Sequence, residues 1–137
     1  MKNVYLAAPL FSEAERDFNV RLRDELEKIG LEVFLPQEHS NDTKDERHRQ
    51  ENIFRKNREA IERAELMVAV LDGVDVDSGT AWEIGYAHAR GLPVYGLRTD
   101  FRTLGIEGTV NLMIERSVVM CMGVGELVER LGDEGRP

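Results

Sequence analysis

The stretch LMVAVL, from Leu66 to Leu71, is the most hydrophobic run of the chain and decides the fold. A strand with one exposed face alternates apolar and polar side chains, whereas this run contains no polar residue. Continuous apolar strands are typical of parallel sheets that helices cover on both faces. The sequence therefore predicts that residues 66–71 form a central, fully buried strand.

Shorter apolar runs flank this central strand, and segments with helical spacing separate them. Further strands are predicted at Val4–Ala8, Leu31–Leu35, Pro93–Leu97 and Ser117–Met122. Helices are predicted from the Ser12 and Glu15 capping box to Gly30, along the face Ile53, Phe54, Asn57, Ile61 and Ala64, from Thr80 to Arg90, and from Glu126 to Leu131. Alternating strands and helices predict an α/β fold, a five-stranded parallel sheet with helices on both faces. Ligands in such folds bind beyond the carboxyl ends of the strands.

Length and composition narrow the class of protein. A chain of 137 residues suits one domain, which we expect to span residues 1–137. Eighteen basic and 26 acidic residues give a net charge of −8, which argues against nucleic-acid binding. No apolar run approaches the roughly 20 residues of a membrane span, and no signal peptide is expected. With a single cysteine, Cys121, which fits a reducing compartment, these features predict a cytoplasmic protein.

The sequence lacks the common cofactor and metal motifs. It has no P-loop, and the first strand ends in residues 8–10 (APL) rather than in a glycine-rich dinucleotide turn. The three histidines do not have the spacing of metal ligands. We therefore expect neither a cofactor nor a metal.

The unusual segment is Asp72–Ala87, DGVDVDSGTAWEIGYA. It places aspartates at the carboxyl end of the central strand and Glu83 in the predicted first turn of a helix. A helix N-terminus favours the ionised acid by roughly 0.3–1 kcal/mol, so Glu83 is a candidate nucleophile, and a second acid could donate a proton. Gly79 lets a ligand come close. A structural explanation also fits, because Thr80 and Glu83 have capping-box spacing.

The order of these segments resembles the nucleoside 2-deoxyribosyltransferase family. The resemblance covers residues 4–11 (VYLAAPLF), 64–72 (AELMVAVLD), 77–87 (DSGTAWEIGYA), 91–94 (GLPV) and 110–113 (VNLM). It implies a flavodoxin-like (Rossmann-like) fold. It also implies an enzyme that transfers the 2-deoxyribosyl group of a 2′-deoxynucleoside to another free nucleobase.

The resemblance also implies roles for individual residues. Glu83 matches the nucleophile, which attacks C1′ and forms a covalent glycosyl ester before a second base takes the sugar with net retention. Tyr5 matches a tyrosine that holds the nucleophile by a hydrogen bond, although a strand tyrosine can equally belong to the core. Asp77 matches an acid on the 5′ side of the sugar and also fits a helix N-cap. Asn111 and Met113 match residues that reach into a neighbouring subunit's site, which implies a homo-oligomer, commonly a hexamer built from dimers.

The sequence departs from the family pattern in two places. Several members carry a proton-donating aspartate where this chain has Asn57, and an amide cannot supply an acid proton. Protonation of the leaving base would then fall to Asp72, Asp75 or water. The second departure follows the fourth strand, where we hypothesise that Arg98 or Asp100 shapes the base or sugar pocket.

A long polar stretch, Gln37–Gln50, is predicted as a surface loop that leads into the second helix. Loops of this length are often lids or binding loops, and a passive solvated loop is an equally good interpretation. The resemblance implies that preference for a purine or a pyrimidine depends on this region, from His39 to Gln50, and on residues from Ala8 to Phe11.

Two alternative functions stay open on the sequence. A related branch hydrolyses 2′-deoxynucleoside 5′-monophosphates with the same nucleophile. Here Asp77 occupies a place where that branch uses small hydroxyl residues near the phosphate, and a carboxylate repels a phosphate dianion. This favours nucleosides, although Ser78, Ser117, Arg98 and Arg102 could still form a phosphate site. The other alternative is a non-catalytic nucleotide-binding module on the same fold.

Overall fold

The computed structural model describes residues 1–40 and 46–134. Five parallel strands form one sheet in the order β2-β1-β3-β4-β5. The strands are β1 (Asn3–Ala7), β2 (Glu32–Phe34), β3 (Leu66–Val70), β4 (Val94–Leu97) and β5 (Val119–Cys121). The α-helices are α1 (Glu13–Lys28), α2 (Arg49–Arg63), α3 (Ser78–Ala89), α4 (Leu112–Glu115) and α5 (Val124–Leu131). This strand order is that of flavodoxin-like folds, so the predicted fold class is confirmed.

The apolar run that led the sequence analysis is the middle strand of the sheet. In β3, Met67 pairs with Tyr5 of β1 on one side and with Val94 of β4 on the other. All five residues of β3 are buried. A strand hydrogen-bonded on both edges and covered on both faces has no position for a polar side chain. The predicted burial of this strand is confirmed.

Helices cover the sheet on both faces and divide the core in two. On one face, Leu6 and Val68 pack with side chains of α1 and α5 such as Leu26 and Leu127. On the opposite face, the alternate strand residues pack against α2 and α3, and this second core contains Tyr5, Ala7, Met67, Ala69, Ile61 and Ile84. Because strand side chains alternate between faces, Tyr5 lies on the same side of the sheet as α3.

Most element boundaries differ from prediction by one or two residues. The predicted strand ends Ala8 and Leu71 lie just outside β1 and β3, and α5 begins at Val124 rather than at Glu126. The short helix α4 was not predicted, because four residues are too few for a periodic signal. Within the predicted polar loop, Pro36–Glu38 and Glu46–His48 form single turns of 3₁₀ helix, and residues 41–45 lie outside the described residues.

The helix that carries Glu83 begins earlier than the sequence indicated. Its N-cap is Asp77, whose Oδ2 accepts a hydrogen bond from the Thr80 backbone N–H at 3.0 Å. Aspartate is a strong N-cap. Glu83 therefore lies in the second turn of α3. The predicted first-turn position of Glu83 and the predicted capping box of Thr80 and Glu83 are both wrong, since Asp77 takes the cap position.

No helix in the described part of the chain is long and apolar enough to span a membrane.

Gly96 of β4 offers a test of how tightly the sheet is packed. A Cβ added there would lie 2.7 Å from Leu71 Cδ1 and 2.9 Å from Val118 Cγ2. We expect Gly96→Ala to lower the free energy of unfolding by about 1–3 kcal/mol, because overpacking forces neighbours to shift. Urea unfolding followed by circular dichroism measures the change.

Gly125→Ala in α5 is the matched control, because an added Cβ there meets no heavy atom within 4 Å. Alanine also loses less entropy than glycine in a helix, by up to about 1 kcal/mol, so this variant should be neutral or stabilising. Equal destabilisation by both substitutions would contradict the tight packing around Gly96.

Candidate active site

A cavity of about 370 Å³ lies between α2 and α3, at the carboxyl end of β1. β1 and β3 are neighbours in the sheet, but the helices that follow them, α1 and α3, cover opposite faces. Ligands in this fold usually bind at such a point, beyond the carboxyl ends of the strands. The cavity is lined by Ala8, Leu10, Phe11, Pro36, Ile53, Phe54, Asn57, Arg58, Ile61, Asp77, Gly79, Thr80, Trp82 and Glu83. Of the residues that the sequence singled out, Ala8, Phe11, Asn57, Asp77, Gly79 and Glu83 therefore share one cavity.

Tyr5 and Glu83 meet beside this cavity. Tyr5 is in the middle of β1 and is fully buried, with its ring in the α2 and α3 core. Its hydroxyl donates a hydrogen bond to Oε2 of Glu83, 78 positions later in the chain. A buried tyrosine needs a partner for its hydroxyl. Glu83 supplies that partner, so the same contact satisfies the tyrosine and orients the carboxylate.

Burial, not the helix terminus, sets the electrostatics of Glu83. Desolvation raises the pKa of the Glu83 carboxyl to about 7; the hydrogen bond from Tyr5 opposes the rise, and the charge of Asp77 adds to it. The sequence argument that the helix N-terminus favours ionised Glu83 is therefore wrong. The helix-terminus effect is confined to the first turn, and Glu83 lies in the second. Burial and the nearby Glu83 carboxylate raise the pKa of Tyr5 as well, which keeps its hydroxyl protonated as a donor.

Asp77 is the N-cap of α3 and also lines the cavity. Its Oδ2 accepts hydrogen bonds from the Thr80 N–H at 3.0 Å and from the Thr80 hydroxyl at 3.1 Å. The same residue lines the cavity with Glu83. The cap fixes the aspartate side chain at the start of α3, in the wall of the cavity.

The outer wall of the cavity is aromatic, and sequence reasoning missed it. The rings of Phe54 and Trp82 meet edge to face with centroids 5.6 Å apart, and Trp82 stacks on Tyr86 at 5.3 Å. Both Phe54 and Trp82 are about half exposed. The guanidinium of Arg58 lies 6.0 Å from the Phe54 ring centre. The sequence signal that could have revealed this wall was the spacing of Phe54, Arg58 and Ile61, which places them on one face of α2.

Arg98 and Asp72 do not line this cavity. Arg98 is 2% exposed, and its guanidinium donates to the backbone oxygens of Leu71 at 2.5 Å and Gly73 at 2.8 Å. Asp72 accepts from the backbone N–H groups of Thr99 at 2.7 Å and Asp100 at 3.0 Å. These contacts tie the loop after β3 to the loop after β4. Both residues therefore support the segment that leads to Asp77.

The remaining predicted residues also lie elsewhere in the single chain. Asp75 is exposed, and its Oδ1 accepts from the N–H of Val76. Asp100 pairs with Arg102. Asn111 is the N-cap of α4, where its Oδ1 accepts from the Met113 N–H at 2.9 Å, and Met113 is 74% exposed. Neither Asn111 nor Met113 lines the cavity of its own chain.

No group of three or more His, Cys, Asp or Glu side chains within residues 1–40 and 46–134 is arranged to hold a metal ion. Cys121 is buried in the core on the α1 side of the sheet, as expected for an apolar strand.

Solved structures resemble this chain over nearly its whole length. A conserved protein from Enterococcus faecalis V583 is 27% identical, with a TM-score of 0.80 over 98% of this chain and 99% of that one. A 2-deoxyribosyltransferase from Bacillus psychrosaccharolyticus is 25% identical, with a TM-score of 0.80 over 92% of this chain and 90% of the other. A 2-desoxiribosyltransferase from Leishmania mexicana shares the fold at 20% identity, with a TM-score of 0.79 over 99% of this chain and 100% of that chain.

Sequence comparison gives a family as well as a fold. None of the curated protein sequences matches the chain. The family model for nucleoside 2-deoxyribosyltransferase, however, matches residues 4–124, which include most of β1, the cavity wall and the whole of α3. This match shows that the chain belongs to the nucleoside 2-deoxyribosyltransferase family, a family of deoxyribosyl-transferring enzymes.

Proposed function

We propose that this enzyme moves the 2-deoxyribosyl group of a 2′-deoxynucleoside to a second nucleobase through a covalent intermediate on Glu83. The observation that carries the proposal is the contact between Tyr5 and Glu83 beside the cavity. A carboxylate that is oriented by a hydrogen bond and largely removed from water is a competent nucleophile for a glycosidic carbon.

The reaction proceeds in two displacements. In the first, an oxygen of ionised Glu83 attacks C1′, the C1′–N bond breaks, and the leaving base keeps the electron pair. In the second, a nitrogen of the incoming base attacks C1′, and the ester bond breaks to return its electron pair to Glu83. The incoming base loses a proton to solvent. Two inversions at C1′ give net retention.

Tyr5 and Asp77 act on opposite ends of this chemistry. The Tyr5 hydroxyl holds one carboxylate oxygen of Glu83, which leaves the other free to attack. Asp77 caps α3 and lines the same cavity. In this proposal its carboxylate accepts a hydrogen bond from the 5′-hydroxyl of the sugar. The leaving base takes its proton from water, since neither Asp72 nor Asp75 lines the cavity and Asn57 has no acid proton.

The cavity favours a nucleoside over a nucleoside monophosphate. A phosphate on the 5′ side would meet the Asp77 carboxylate, and like charges repel strongly where water is excluded. Three of the four residues considered for a phosphate site, all except Ser78, are engaged in contacts elsewhere. Arg98 binds backbone oxygens, Arg102 pairs with Asp100, and the Ser117 hydroxyl donates to the Met113 carbonyl.

We also propose that the active form is a homo-oligomer, in which Asn111 and Met113 complete the site of a neighbouring subunit. Their exposure in the single chain supports this, because Met113 is 74% exposed and Leu112 is 51% exposed. Exposed apolar side chains grouped on one surface commonly mark an interface. A role in the cytoplasmic salvage of deoxynucleosides fits such an enzyme.

A base-exchange assay tests the proposal directly. The enzyme is incubated with deoxyinosine, with and without adenine, and the products are separated by chromatography. Deoxyadenosine should form only when adenine is present. Hypoxanthine released without adenine would show that water reaches the intermediate, and cleavage confined to deoxynucleoside monophosphates would favour the N-glycosidase alternative. Inertness towards all purine and pyrimidine donors would favour a binding module.

Glu83→Gln should abolish exchange, because an amide cannot form the glycosyl ester. We expect a loss of roughly 1,000-fold or more, as for other removed nucleophiles. Intact-mass measurement of wild type mixed with deoxyinosine should show the added mass of one deoxyribosyl group, which the variant lacks. Asp75→Asn, outside the cavity, should retain both exchange and the added mass. Added mass on the Glu83→Gln variant, or none on wild type in rapid-quench samples, would contradict the covalent route.

The pH dependence of exchange should report the ionisation of Glu83. Because burial raises the pKa of Glu83 to about 7 and the nucleophile must be ionised, kcat/KM should rise with pH up to about that value. Tyr5→Phe removes a hydrogen bond that favours the anion, so its acid limb should move up by about one pH unit. Tyr95→Phe, a tyrosine packed on the other face of the sheet, should leave the limb in place. An unchanged limb in Tyr5→Phe would contradict this role.

Stability should show the same ionisation independently of turnover. The pKa of Glu83 is raised in the folded state from 4.5 to about 7, so wild-type stability falls as pH rises through this range. Glu83→Gln removes that cost, which is at most roughly 3 kcal/mol. The variant should therefore gain stability over wild type at pH 8 relative to pH 4.5, as measured by urea unfolding. A difference independent of pH would argue against a desolvated carboxylate.

A further inference from the structure

One end of the cavity presents hydrogen-bond donors where an acid would be expected. Asn57 and Arg58 are adjacent on α2, and both line the cavity that also contains Glu83 of α3. Neither side chain is an acid at neutral pH, since one is an amide and the other a permanent cation. The α2 side of the cavity therefore offers the donor-only guanidinium of Arg58 and the amide of Asn57, which can donate and accept, whereas the α3 side offers the carboxylates of Asp77 and Glu83.

Arg58 still has donor capacity that the protein does not use. Its buried Nε makes no hydrogen bond, although it forms an ion pair with Oε2 of Glu62, one helical turn later, at 3.6 Å. Glu62 is shared, because it also accepts a hydrogen bond from the Tyr86 hydroxyl. A guanidinium carries five donors in a fixed plane. A guanidinium in a cavity wall therefore has donors left for a ligand even when it forms one ion pair.

The aromatic wall next to Arg58 suits a planar ligand. Phe54 and Trp82 line the same cavity, and the Arg58 guanidinium lies 6.0 Å from the Phe54 ring centre. Aromatic side chains and guanidinium planes are the groups on which proteins stack unpaired bases. A base held here would turn one edge towards Arg58 and Asn57.

Donors of this kind select among base edges. Hypoxanthine and guanine carry two adjacent acceptors, O6 and N7, which a guanidinium binds with two parallel hydrogen bonds. Adenine has an amino group in place of O6, so a donor of the base would face a donor of the guanidinium. Thymine presents no such pair, because its N3–H donor separates the two carbonyl acceptors.

We propose that Arg58, with Asn57 beside it, is the base-specificity determinant and selects 6-oxopurines as the preferred bases. This inference rests on the proposed function, because it assigns the base to the α2 side of the same cavity. Arg58 binds O6 and N7 of the base, and Asn57 contributes a further donor through its amide. When the C1′–N bond breaks, the negative charge that the base retains is delocalised through the ring to N7 and O6, where the cation stabilises it until the base takes a proton from water.

Equilibrium binding in an inactive background separates recognition from catalysis. In the Glu83→Gln protein, calorimetry gives Kd for hypoxanthine, guanine, adenine and thymine. We expect the two oxopurines to bind about tenfold more tightly than adenine or thymine, the size of one good bidentate contact. Adding Arg58→Met should reduce that preference to within about twofold, and Arg58→Lys should retain only part of it, because lysine lacks the planar fork.

Arg55→Met is the matched control. Arg55 is also on α2, is largely exposed and pairs with Glu59 at 3.8 Å, but it does not line the cavity. This variant should keep the full preference for oxopurines. Since both arginines are surface-accessible helix residues, a general effect of losing one positive charge would appear in both.

Three results would overturn the inference. Adenine could bind as tightly as hypoxanthine, or the oxopurine preference could survive Arg58→Met. Alternatively, Arg58→Met could weaken deoxyinosine 5′-monophosphate but not hypoxanthine, which would assign Arg58 to a phosphate. If no base or nucleoside binds at all, the proposed function itself fails, and that result is distinct from binding without selectivity.

Discussion

The hydrogen bond between Tyr5 and Glu83 joins the centre of the sheet to the second turn of α3. Tyr5 is fully buried in β1, so its hydroxyl holds the Glu83 carboxylate in a fixed position. The contact restrains Glu83. It also opposes the rise in pKa that desolvation causes, and the pKa of the carboxyl is about 7. A buried carboxyl with a strongly raised pKa beside a cavity is typical of a functional site, which supports our proposal that Glu83 is the nucleophile.

Side chains outside the cavity hold the loops after β3 and β4 in place. Arg98 binds the carbonyl oxygens of Leu71 and Gly73, and Asp72 binds the N–H groups of Thr99 and Asp100. The network holds the start of the loop that leads to Asp77, the residue that caps α3. A buried arginine that satisfies backbone carbonyls costs less than an unpaired one. The bracing residues thus fix the geometry of the site without lining it.

The two walls of the cavity differ in chemical character. The α3 wall carries the carboxyl groups of Asp77 and Glu83, whereas the α2 wall carries Asn57, Arg58 and the Phe54 ring. In the reaction that we propose, Asn57 and Arg58 can stabilise the leaving base by donating hydrogen bonds, but neither can transfer a proton to it.

The sequence by itself determined the parallel α/β fold, since an unbroken apolar strand such as Leu66–Val70 is compatible only with burial on both faces. With the family resemblance, it also indicated Tyr5, Glu83 and Asp77. Only the tertiary structure decided which residues meet. Local patterns carry no information on contacts between segments far apart in the chain. Only the structure therefore showed the aromatic wall, the Arg58 Nε that makes no hydrogen bond, and the contacts by which Arg98 holds the loop after β3. The same reason explains the misjudged ionisation of Glu83, because desolvation depends on the packed surroundings and not on neighbours in the sequence.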